Sequence, residues 1–245
     1  MEIIGIIPAR YASTRFPGKP LTDIGGISMI ERVYRQSKSS SLLADVVVAT
    51  DDDRIFSHVT GFGGKVVMTS DRHQSGTDRC FEAIQKFRPS ADVVVNIQGD
   101  EPFIQPGQID LVASCFAEEH VGIATLVKKV STDEELFNHN IPKVLLDKEM
   151  NAVCFSRQTI PHVRGKQQSD WLSSFIFYKH IGIYAYRTKV LAEITALDQS
   201  PLELAEALEQ MRWIENGYRL KVKITDFESV AVDVPDDLRK LTSFL

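Results

Sequence analysis

Three cationic residues lie within ten positions of one another in a loop that follows the first apolar run. The loop has the sequence PARYASTRFPGKPL over residues 8–21, and its cations are Arg10, Arg15 and Lys19. Small residues allow backbone N–H groups to approach an anion, while arginine and lysine supply charge and hydrogen-bond donors. The pattern predicts a loop that binds a triphosphate, although a solvated basic loop has the same composition. It matches neither the Walker loop nor the GxGxxG turn.

Carboxylates follow two further apolar runs. The run 93–97 continues into Gln98, Gly99 and Asp100, and the run 46–49 is followed by Asp51, Asp52 and Asp53. An aspartate at the carboxyl end of a parallel strand can hold Mg²⁺ against phosphate oxygens, because hard cations prefer oxygen ligands. Asp100 is the candidate ligand, with an ordinary Gly-Asp turn as the alternative. In the second group, Asp52 or Asp53 can instead cap the next helix.

A fourth acidic position lies near the end of the sequence, in SVAVDVPDDL over residues 229–238. We expect Asp233 on a short strand, and Asp236 and Asp237 at the start of a last helix. A carboxylate within a strand is costly unless it is paired or bound to a metal. Asp233 is therefore a candidate second metal ligand, but the sequence alone does not place it beside Asp100.

The elements that must position these residues alternate between strands and helices in the first half. Continuous β-branched runs predict strands that are buried on both faces of a parallel sheet. The predicted strands are 3–7, 46–49, 65–68 and 93–97, and the predicted helices are 29–37, 54–62 and 78–87. This order implies right-handed crossovers and a doubly wound α/β layer.

The second half has strand patterns without long helices between them. The predicted strands are 123–127, 143–146, 152–155 and 181–186, and the polar segment 161–174 is expected to be a loop. This favours antiparallel or mixed pairing, in a smaller strand-rich subregion over about residues 123–190 of a single domain, 1–245. A helix is predicted from Ser200, which begins a capping box with Glu203, to a stop at Gly217.

Composition narrows the function further. Lys and Arg total 28 and Asp and Glu total 33, for a net charge of −5, which argues against a general nucleic-acid-binding protein. No apolar run approaches the length of a membrane span, and the N-terminus lacks a signal-peptide pattern. The three cysteines are widely spaced and form no metal or disulfide motif. We therefore expect a protein of the reducing cytoplasm.

Eight segments together resemble one known family, that of the 3-deoxy-manno-octulosonate cytidylyltransferases (CMP-Kdo synthetases). They are PARYASTRFPGKPL, VATDDDRI, HQSGTDR, NIQGDEP, FSRQTIP, HIGIYAYR, SPLELAEALEQMR and VDVPDDL, in this order over residues 3–240. The resemblance implies a mixed, mostly parallel α/β sheet of the nucleotide-diphospho-sugar transferase type. It also implies transfer of CMP from CTP to the acid sugar Kdo with release of pyrophosphate, a Mg²⁺ cofactor, a role in lipopolysaccharide biosynthesis and a homodimer. We expect the dimer contact in the strand-rich second half, including Ile181–Tyr186.

The resemblance also implies roles for individual residues. The catalytic residues would be Arg10, Lys19, Asp100 and Asp233, of which Asp100 and Asp233 would hold magnesium. The nucleotide site would comprise Ala9, Arg10, Ser13, Arg15, Lys19, His73, Ser75, Gly76, Thr77, Arg79 and Gln98. Within it, the five residues around the base and ribose would be His73, Ser75, Gly76, Thr77 and Arg79. The sugar site would comprise Gln98, Arg157, Arg164, His180, Tyr184 and Glu209, and its two arginines would bind the sugar carboxylate.

The predicted helix from Ser200 offers partial independent support for a site. Its pattern places Leu204, Leu208 and Met211 on a core face. The opposite face carries Leu202, Glu206, Glu209 and Trp213. That face can line a sugar pocket, take part in a subunit contact, or be simply solvated.

The sequence departs from the family pattern at three places, and three alternative functions remain open. Val234 stands where threonine is common in the family, and Lys179 stands where arginine is usual. The segment 165–175 aligns poorly, which leaves the preferred acid sugar open between Kdo and a modified form such as its 8-amino analogue. Another sugar nucleotidyltransferase, acting on a sialic acid or on hexose phosphates, is an alternative. A non-catalytic nucleotide-binding module is disfavoured by the presence of Lys19, Asp100 and Asp233 together. An NAD-dependent oxidoreductase is disfavoured by the lack of a glycine fingerprint.

Overall fold

The computed structural model describes residues 1–12, 15–228 and 230–244, with side chains described throughout except at 240 and 242–244. Ser13, predicted in the nucleotide site, lies outside the described residues. The strands are β1 (Ile3–Ala9), β2 (Asp23–Ile24), β3 (Ile27–Ser28), β4 (Asp45–Thr50), β5 (Val66–Met68), β6 (Val93–Asn96), β7 (Ile123–Lys129), β8 (Lys143–Leu146), β9 (Ala152–Ser156), β10 (Tyr178–Arg187) and β11 (Leu220–Ile224). The α-helices are α1 (Met29–Lys38), α2 (Asp53–Gly61), α3 (Gly76–Phe87), α4 (Pro106–Ala113), α5 (Asp133–Phe137), α6 (Trp171–Ser174), α7 (Thr188–Ile194), α8 (Pro201–Glu206) and α9 (Gln210–Glu215).

One large sheet carries the fold, with β11-β7-β10-β6-β1-β4-β5 as its main path and β8 and β9 attached at β10. The pairs β1–β4, β1–β6 and β4–β5 are parallel, as the sequence predicts, and β11 is parallel to β7. The long strand β10 is antiparallel to β6, β7 and β8. The sheet is therefore mixed and mostly parallel, and β7 and β10 from the strand-rich second half are members of it.

Both faces of this sheet are covered. Ile30 of α1, Ile55 of α2 and Ile109 of α4 pack on one face, in a core with Ile3 and Ile7 of β1. Cys80, Leu191 and Met211 come from α3, α7 and α9 and pack on the other face, with Ile4 and Ile6. Successive side chains of β1 thus enter opposite cores, which is why the strand is continuously apolar.

Helix starts at the carboxyl edge of the sheet are set by capping side chains. Ser28 Oγ accepts a hydrogen bond from the Glu31 amide of α1, and Ser75 Oγ accepts one from the Asp78 amide of α3. Asp52 caps α2, as one of the sequence alternatives proposed. These caps fix where each loop ends and each helix begins.

The prediction of a single helix from Ser200 to Gly217 is wrong, because the helix is interrupted in its middle. Its start is confirmed, because Ser200 and Glu203 form the capping box. The chain then leaves the helix at Ala207, which has φ 50° and ψ 49°, and restarts as α9. Arg157 donates hydrogen bonds to the carbonyls of Glu206 (2.6 Å) and Ala207 (3.2 Å), so these carbonyls are satisfied without a continuing helix.

The break also changes which side chains face the core. Leu208 and Met211 are buried as predicted, but Leu204 is 64% exposed. Trp213, predicted on the outer face, is fully buried and makes edge contacts with Tyr184 and Tyr186. A helical periodicity carried across the break assigns residues to the wrong face, because the left-handed conformation of Ala207 separates α8 from α9.

Two other local predictions need correction. The segment 161–174 is not all loop, because it holds a 3₁₀ turn at Gln168–Asp170 and the short helix α6. Trp171 of α6 anchors a small separate core with Val130, Leu136 and Phe177. The strand predicted at Asp233 is not found among the described residues, whereas the predicted last helix is present as a 3₁₀ helix at Pro235–Phe244.

We expect Gly99→Ala to lower the free energy of unfolding by about 1–3 kcal/mol, because overpacking a tight contact strains both partners. A Cβ at Gly99 would lie 2.7 Å from the carbonyl oxygen of Pro8, which is backbone and cannot rotate away. Urea unfolding measures the effect. Gly107→Ala is the matched control, because a Cβ there meets no atom within 4 Å. Equal stability of the two variants would contradict the proposed close approach.

Candidate active site

Two cations and two carboxylates from distant parts of the chain meet at the carboxyl edge of the sheet. Lys19 Nζ lies 2.7 Å from Asp100 Oδ2 and 3.9 Å from Asp233 Oδ1. Arg15 approaches Asp233 with both terminal nitrogens, at 3.1 and 3.3 Å. The structure therefore brings together the phosphate-binding and metal-binding candidates, which the sequence could identify only one at a time.

These side chains line a cavity of about 240 Å³. Its lining residues are Pro8, Ala9, Arg10, Arg15, Lys19, Pro20, Gln98, Gly99, Asp100 and Asp233. Every predicted catalytic residue is among them. The cavity is lined by three cationic side chains and two carboxylates, which suits a polyanion bound together with a metal ion.

Backbone contacts bring the C-terminal segment to the Gly99–Asp100 turn. The Val232 amide donates to the Asp100 carbonyl (2.9 Å), and the Val232 carbonyl accepts from Lys19 Nζ (2.8 Å). Val232 is fully buried in a small core with Ile24, Met29 and Phe103. These contacts place Asp233 beside Lys19, and they join positions too far apart in the chain for sequence spacing to reveal.

Asp237 fixes the backbone at Asp233, the second candidate metal ligand. Its Oδ2 accepts hydrogen bonds from the amides of Asp233 (2.9 Å) and Val234 (3.1 Å). The sequence analysis assigned Asp237 only to the start of the last helix. The four-residue spacing between Asp233 and Asp237 is the signal that could have indicated the contact.

A second cavity of about 110 Å³ shares Pro8, Ala9 and Arg10 with the first. Its other lining residues are His73, Gln74, Ser75, Gly76 and Arg79. It therefore contains four of the five residues predicted around the base, together with Gln74, which the prediction missed although it stands within the HQSGT segment. The shared wall means that one ligand can span both cavities.

The side chain of Arg79 is fixed by hydrogen bonds to two other residues of the protein. Its guanidinium, almost fully buried, donates to Asp51 Oδ2 (2.7 Å) and Thr69 Oγ1 (2.6 Å). Asp51, one of the three aspartates after β4, thus pairs with Arg79. Arg79 ties the first turn of α3 to the ends of β4 and β5, and so shapes the pocket wall.

His73 is oriented by Glu82 of α3. Its Nε2 contacts Glu82 Oε2, which also accepts from the Ser70 amide (2.8 Å). Burial alone would raise the pKa of Glu82, but hydrogen bonds from Lys86, Ser70 and His73 outweigh it and lower the pKa to about 2. Glu82 therefore stays ionised, and the loop before α3 is fixed by its charge.

Gln98 connects β10 to the first cavity, which contains Lys19, Asp100 and Asp233. Its Nε2 donates to the Gly182 carbonyl (2.8 Å), at a point where the pairing of β10 with β7 shifts register between Ile181 and Tyr184. His180 and Tyr184, predicted around the sugar, lie on either side of this irregularity, with ring centroids 5.2 Å apart. An acid sugar at this position would lie next to the phosphate cavity.

His180 is neutral in this setting. Its Nε2 lies 2.9 Å from Thr125 Oγ1, which donates to the Ile183 carbonyl (2.8 Å), so the imidazole is the donor. The ring packs edge-on against Phe155, and burial lowers the pKa of His180 to about 3. His180 can position a ligand or a neighbouring ring, but it carries no charge at neutral pH.

Glu209 lies where the two halves of the site meet. Its Oε2 accepts from Thr77 Oγ1 (2.7 Å), on the first turn of α3. Burial raises its pKa above the usual range, and hydrogen bonds from Thr77 and Ser75 partly oppose the rise. Glu209 and Ser75 also line a third cavity, about 550 Å³, which extends along α8 and the segment 195–199. The predicted sugar residue Glu209 and the predicted base residue Thr77 are therefore in direct contact.

The two arginines predicted to bind the sugar carboxylate lie in different settings. Arg157 is engaged by backbone carbonyls, including that of His139 (3.3 Å) in addition to the two at the α8–α9 break. Arg164 is exposed in the segment before the 3₁₀ turn at 168–170. Neither belongs to the described residues that line the three cavities.

The donor set fits magnesium bound together with a polyphosphate. Among the described residues, no group of three or more side chains forms a complete metal site. Mg²⁺ in phosphate-transfer sites is typically held by one or two carboxylates, with phosphate oxygens and water completing its coordination. Asp100 and Asp233, flanked by three phosphate-binding candidates, are such a pair.

The arrangement is suited to transfer at phosphorus, because it offers charge stabilisation and positioning. A family model described as cytidylyltransferase matches residues 4–224. By fold and site the protein is therefore a nucleotidyltransferase of the cytidylyltransferase class.

Individual relatives define the family more closely. The 3-deoxy-manno-octulosonate cytidylyltransferase of Parabacteroides distasonis is 59% identical over 100% of this chain and 98% of its own length. The enzyme of the same name from Bacteroides thetaiotaomicron is 58% identical over the same shares of the two chains. A solved CMP:2-keto-3-deoxy-manno-octonic acid synthetase in complex with CTP superposes with a TM-score of 0.92, at 37% identity over 100% of this chain and 98% of that one. The chain belongs to the 3-deoxy-manno-octulosonate cytidylyltransferase family.

We expect the free energy of unfolding to fall as pH is lowered from about 6.5 to 5, because His180 must protonate on unfolding. Its folded pKa of about 3 lies below the unfolded value. The unfolded state thus binds up to one more proton than the folded state as pH falls through this window, which gives a slope of at most about 1.4 kcal/mol per pH unit. Urea unfolding of His180→Gln should show a smaller slope. His120→Gln is the control, since His120 is exposed, and an unchanged slope in His180→Gln would contradict the assignment.

Proposed function

We propose that the protein transfers CMP from CTP to 3-deoxy-D-manno-octulosonate, giving CMP-Kdo and pyrophosphate. The observation that carries this is the 59% identity to a 3-deoxy-manno-octulosonate cytidylyltransferase over the full chain. The cavity that combines Arg10, Lys19, Asp100 and Asp233 supports it independently. The product would activate Kdo for lipopolysaccharide assembly.

The chemistry requires no covalent intermediate on the protein. A hydroxyl of the sugar attacks the α-phosphorus, pyrophosphate leaves, and charge spreads over the phosphate oxygens. Arg10, Arg15 and Lys19 would hold the triphosphate and stabilise that charge. Asp100 and Asp233 would hold Mg²⁺, which would neutralise phosphate charge when bound.

The acid sugar would lie against β10, beyond Gln98. Gln98 lines the phosphate cavity and bonds to Gly182, so it links the α-phosphorus region to His180 and Tyr184. Glu209, held by Thr77, would accept hydrogen bonds from sugar hydroxyls. Arg164 is exposed and would meet the sugar carboxylate through movement of its segment. Its neighbour Arg157 would act by fixing the backbone at Glu206 and Ala207.

A close relative of Kdo is the alternative acid sugar. The segment 165–175, which departs from the family pattern, carries the exposed Phe175 and lies between Arg164 and β10. This keeps 8-amino-Kdo and a sialic acid as alternative substrates. A pyrophosphate-release assay with CTP and each sugar in turn distinguishes them, and a preference for either alternative would revise the substrate without changing the reaction class.

We place this activity in the cytoplasm, where the relevant nucleotide and sugar acid would meet. The three cysteines are free thiols, two of them buried. Among the described residues, no helix combines the length and apolar character needed to cross a bilayer.

We expect pyrophosphate release from CTP and Kdo to require a divalent cation and to stop on addition of EDTA. Asp100→Asn or Asp233→Asn should reduce kcat by about 10³-fold, because each removes a charged oxygen ligand while leaving the shape nearly unchanged. Steady-state pyrophosphate assays at saturating magnesium measure the loss.

The matched control for these variants is Asp53→Asn. Asp53 is exposed at the start of α2 and belongs to the acidic group after β4. It should retain full turnover. Near-normal activity of both Asp100→Asn and Asp233→Asn, or full turnover in EDTA, would contradict the magnesium assignment.

We also propose a homodimer, from the family resemblance. The suggested contact through Ile181–Tyr186 does not fit, because this stretch of β10 is inside the sheet and mostly buried. Val153 of β9 (52% exposed), Phe175 (43%) and Ile176 (51%) offer an apolar alternative in the same strand-rich region. Light scattering at micromolar concentration should give about twice the 27.5 kDa chain mass.

The same measurement on Ile176→Asp tests the surface. This variant should shift the mass towards the monomer, whereas Leu42→Asp, at an exposed apolar position far along the chain, should not. A wild-type mass equal to one chain would overturn the dimer.

A further inference from the structure

Each carboxylate proposed to hold magnesium is paired with a cation from the loop proposed to hold the triphosphate. Lys19 Nζ binds Asp100 Oδ2 at 2.7 Å, and Arg15 forms a two-pronged contact with Asp233. Lys19 also lies 3.9 Å from Asp233. The cations and the carboxylates of the site are therefore in direct contact with each other.

We propose that Lys19 and Arg15 are exchangeable counter-ions of the Asp100–Asp233 pair. The triphosphate draws both cations from the carboxylates to its own oxygens, and the metal ion takes their place. Nucleotide and metal then bind cooperatively, and the metal binds poorly alone. This inference rests on the proposed function, since it assumes that Asp100 and Asp233 are the metal ligands.

Electrostatic repulsion explains why the paired cations lower the affinity of the carboxylates for a metal ion. A metal ion approaching Asp100 meets an ammonium that already occupies one carboxylate oxygen and repels it. Lys19 is only 15% exposed and is held additionally by the Val232 carbonyl, so solvent screens it weakly. The triphosphate removes that repulsion by offering Lys19 stronger acceptors.

Arg15 opposes metal binding less strongly than Lys19 does. Its side chain is 66% exposed and Asp233 is 50% exposed, so their attraction is largely screened by water. The gain in metal affinity should therefore be larger when Lys19 is removed than when Arg15 is removed. This ranking follows from burial and is independent of catalysis.

The test is a Mn²⁺ titration of the nucleotide-free protein, followed by electron paramagnetic resonance of the free ion. Lys19→Met, which keeps the length of the side chain without its charge, should bind Mn²⁺ at least about ten-fold more tightly than the wild type. Adding Asp100→Asn to Lys19→Met should abolish the gain. Arg15→Met should show a smaller gain.

Lys38→Met is the matched control. It removes a lysine that pairs with Asp45 at 3.3 Å, at the opposite end of the sheet. Its Mn²⁺ affinity should equal that of the wild type. Thermal unfolding of each variant verifies the fold, and Arg15→Met carries the test if Lys19→Met is unstable.

Unchanged Mn²⁺ affinity in folded Lys19→Met, or a gain that survives Asp100→Asn, would overturn the counter-ion proposal. Either result is separable from failure of the proposed function. If the wild type releases pyrophosphate from CTP and Kdo and depends on Asp100, the function stands and only the exchange is wrong. If it releases none, the function itself is wrong.

Discussion

The parallel pairing of β1 with β4 and β6 is the constraint on which the site depends. The pairing sets Ala9 opposite Thr50, and Asn96 opposite Ile6, so the three strands finish at one edge of the sheet. The loops that leave this edge carry the cations of the first loop, the aspartates after β4 and the Gln98–Asp100 turn. Gly99 permits the last approach, because its missing side chain leaves room for the Pro8 carbonyl.

Features that arise from local sequence were predictable. Buried parallel strands need continuous β-branched runs, and helix starts need a capping side chain, so the first half of the fold follows from segments of ten residues or fewer. The same holds for the candidate loops, since they stand where strands end. Asp52 and Ser200 cap helices because their side chains satisfy amides only two or three residues away.

Features that arise from contacts between distant segments were not predictable. The break at Ala207 depends on Arg157, some fifty residues earlier in the chain, and it reverses the exposure expected for Leu204 and Trp213. Asp233 lies near Asp100 because Val232 is buried in a small core and bonds to the Asp100 carbonyl. No periodicity encodes either contact, because each is fixed by tertiary packing.

The charge arrangement also connects stability with ligand selection. Two carboxylates in one cavity repel each other, and three neighbouring cations repel one another. These repulsions are offset because Lys19 pairs with Asp100 and Arg15 pairs with Asp233. Breaking these pairs opposes ligand binding. A polyanion alone would take the cations and leave the carboxylates uncompensated, and a metal ion alone would face the cations. Only a ligand that brings both charges restores neutrality on each side, and a nucleoside triphosphate with its metal ion is such a ligand.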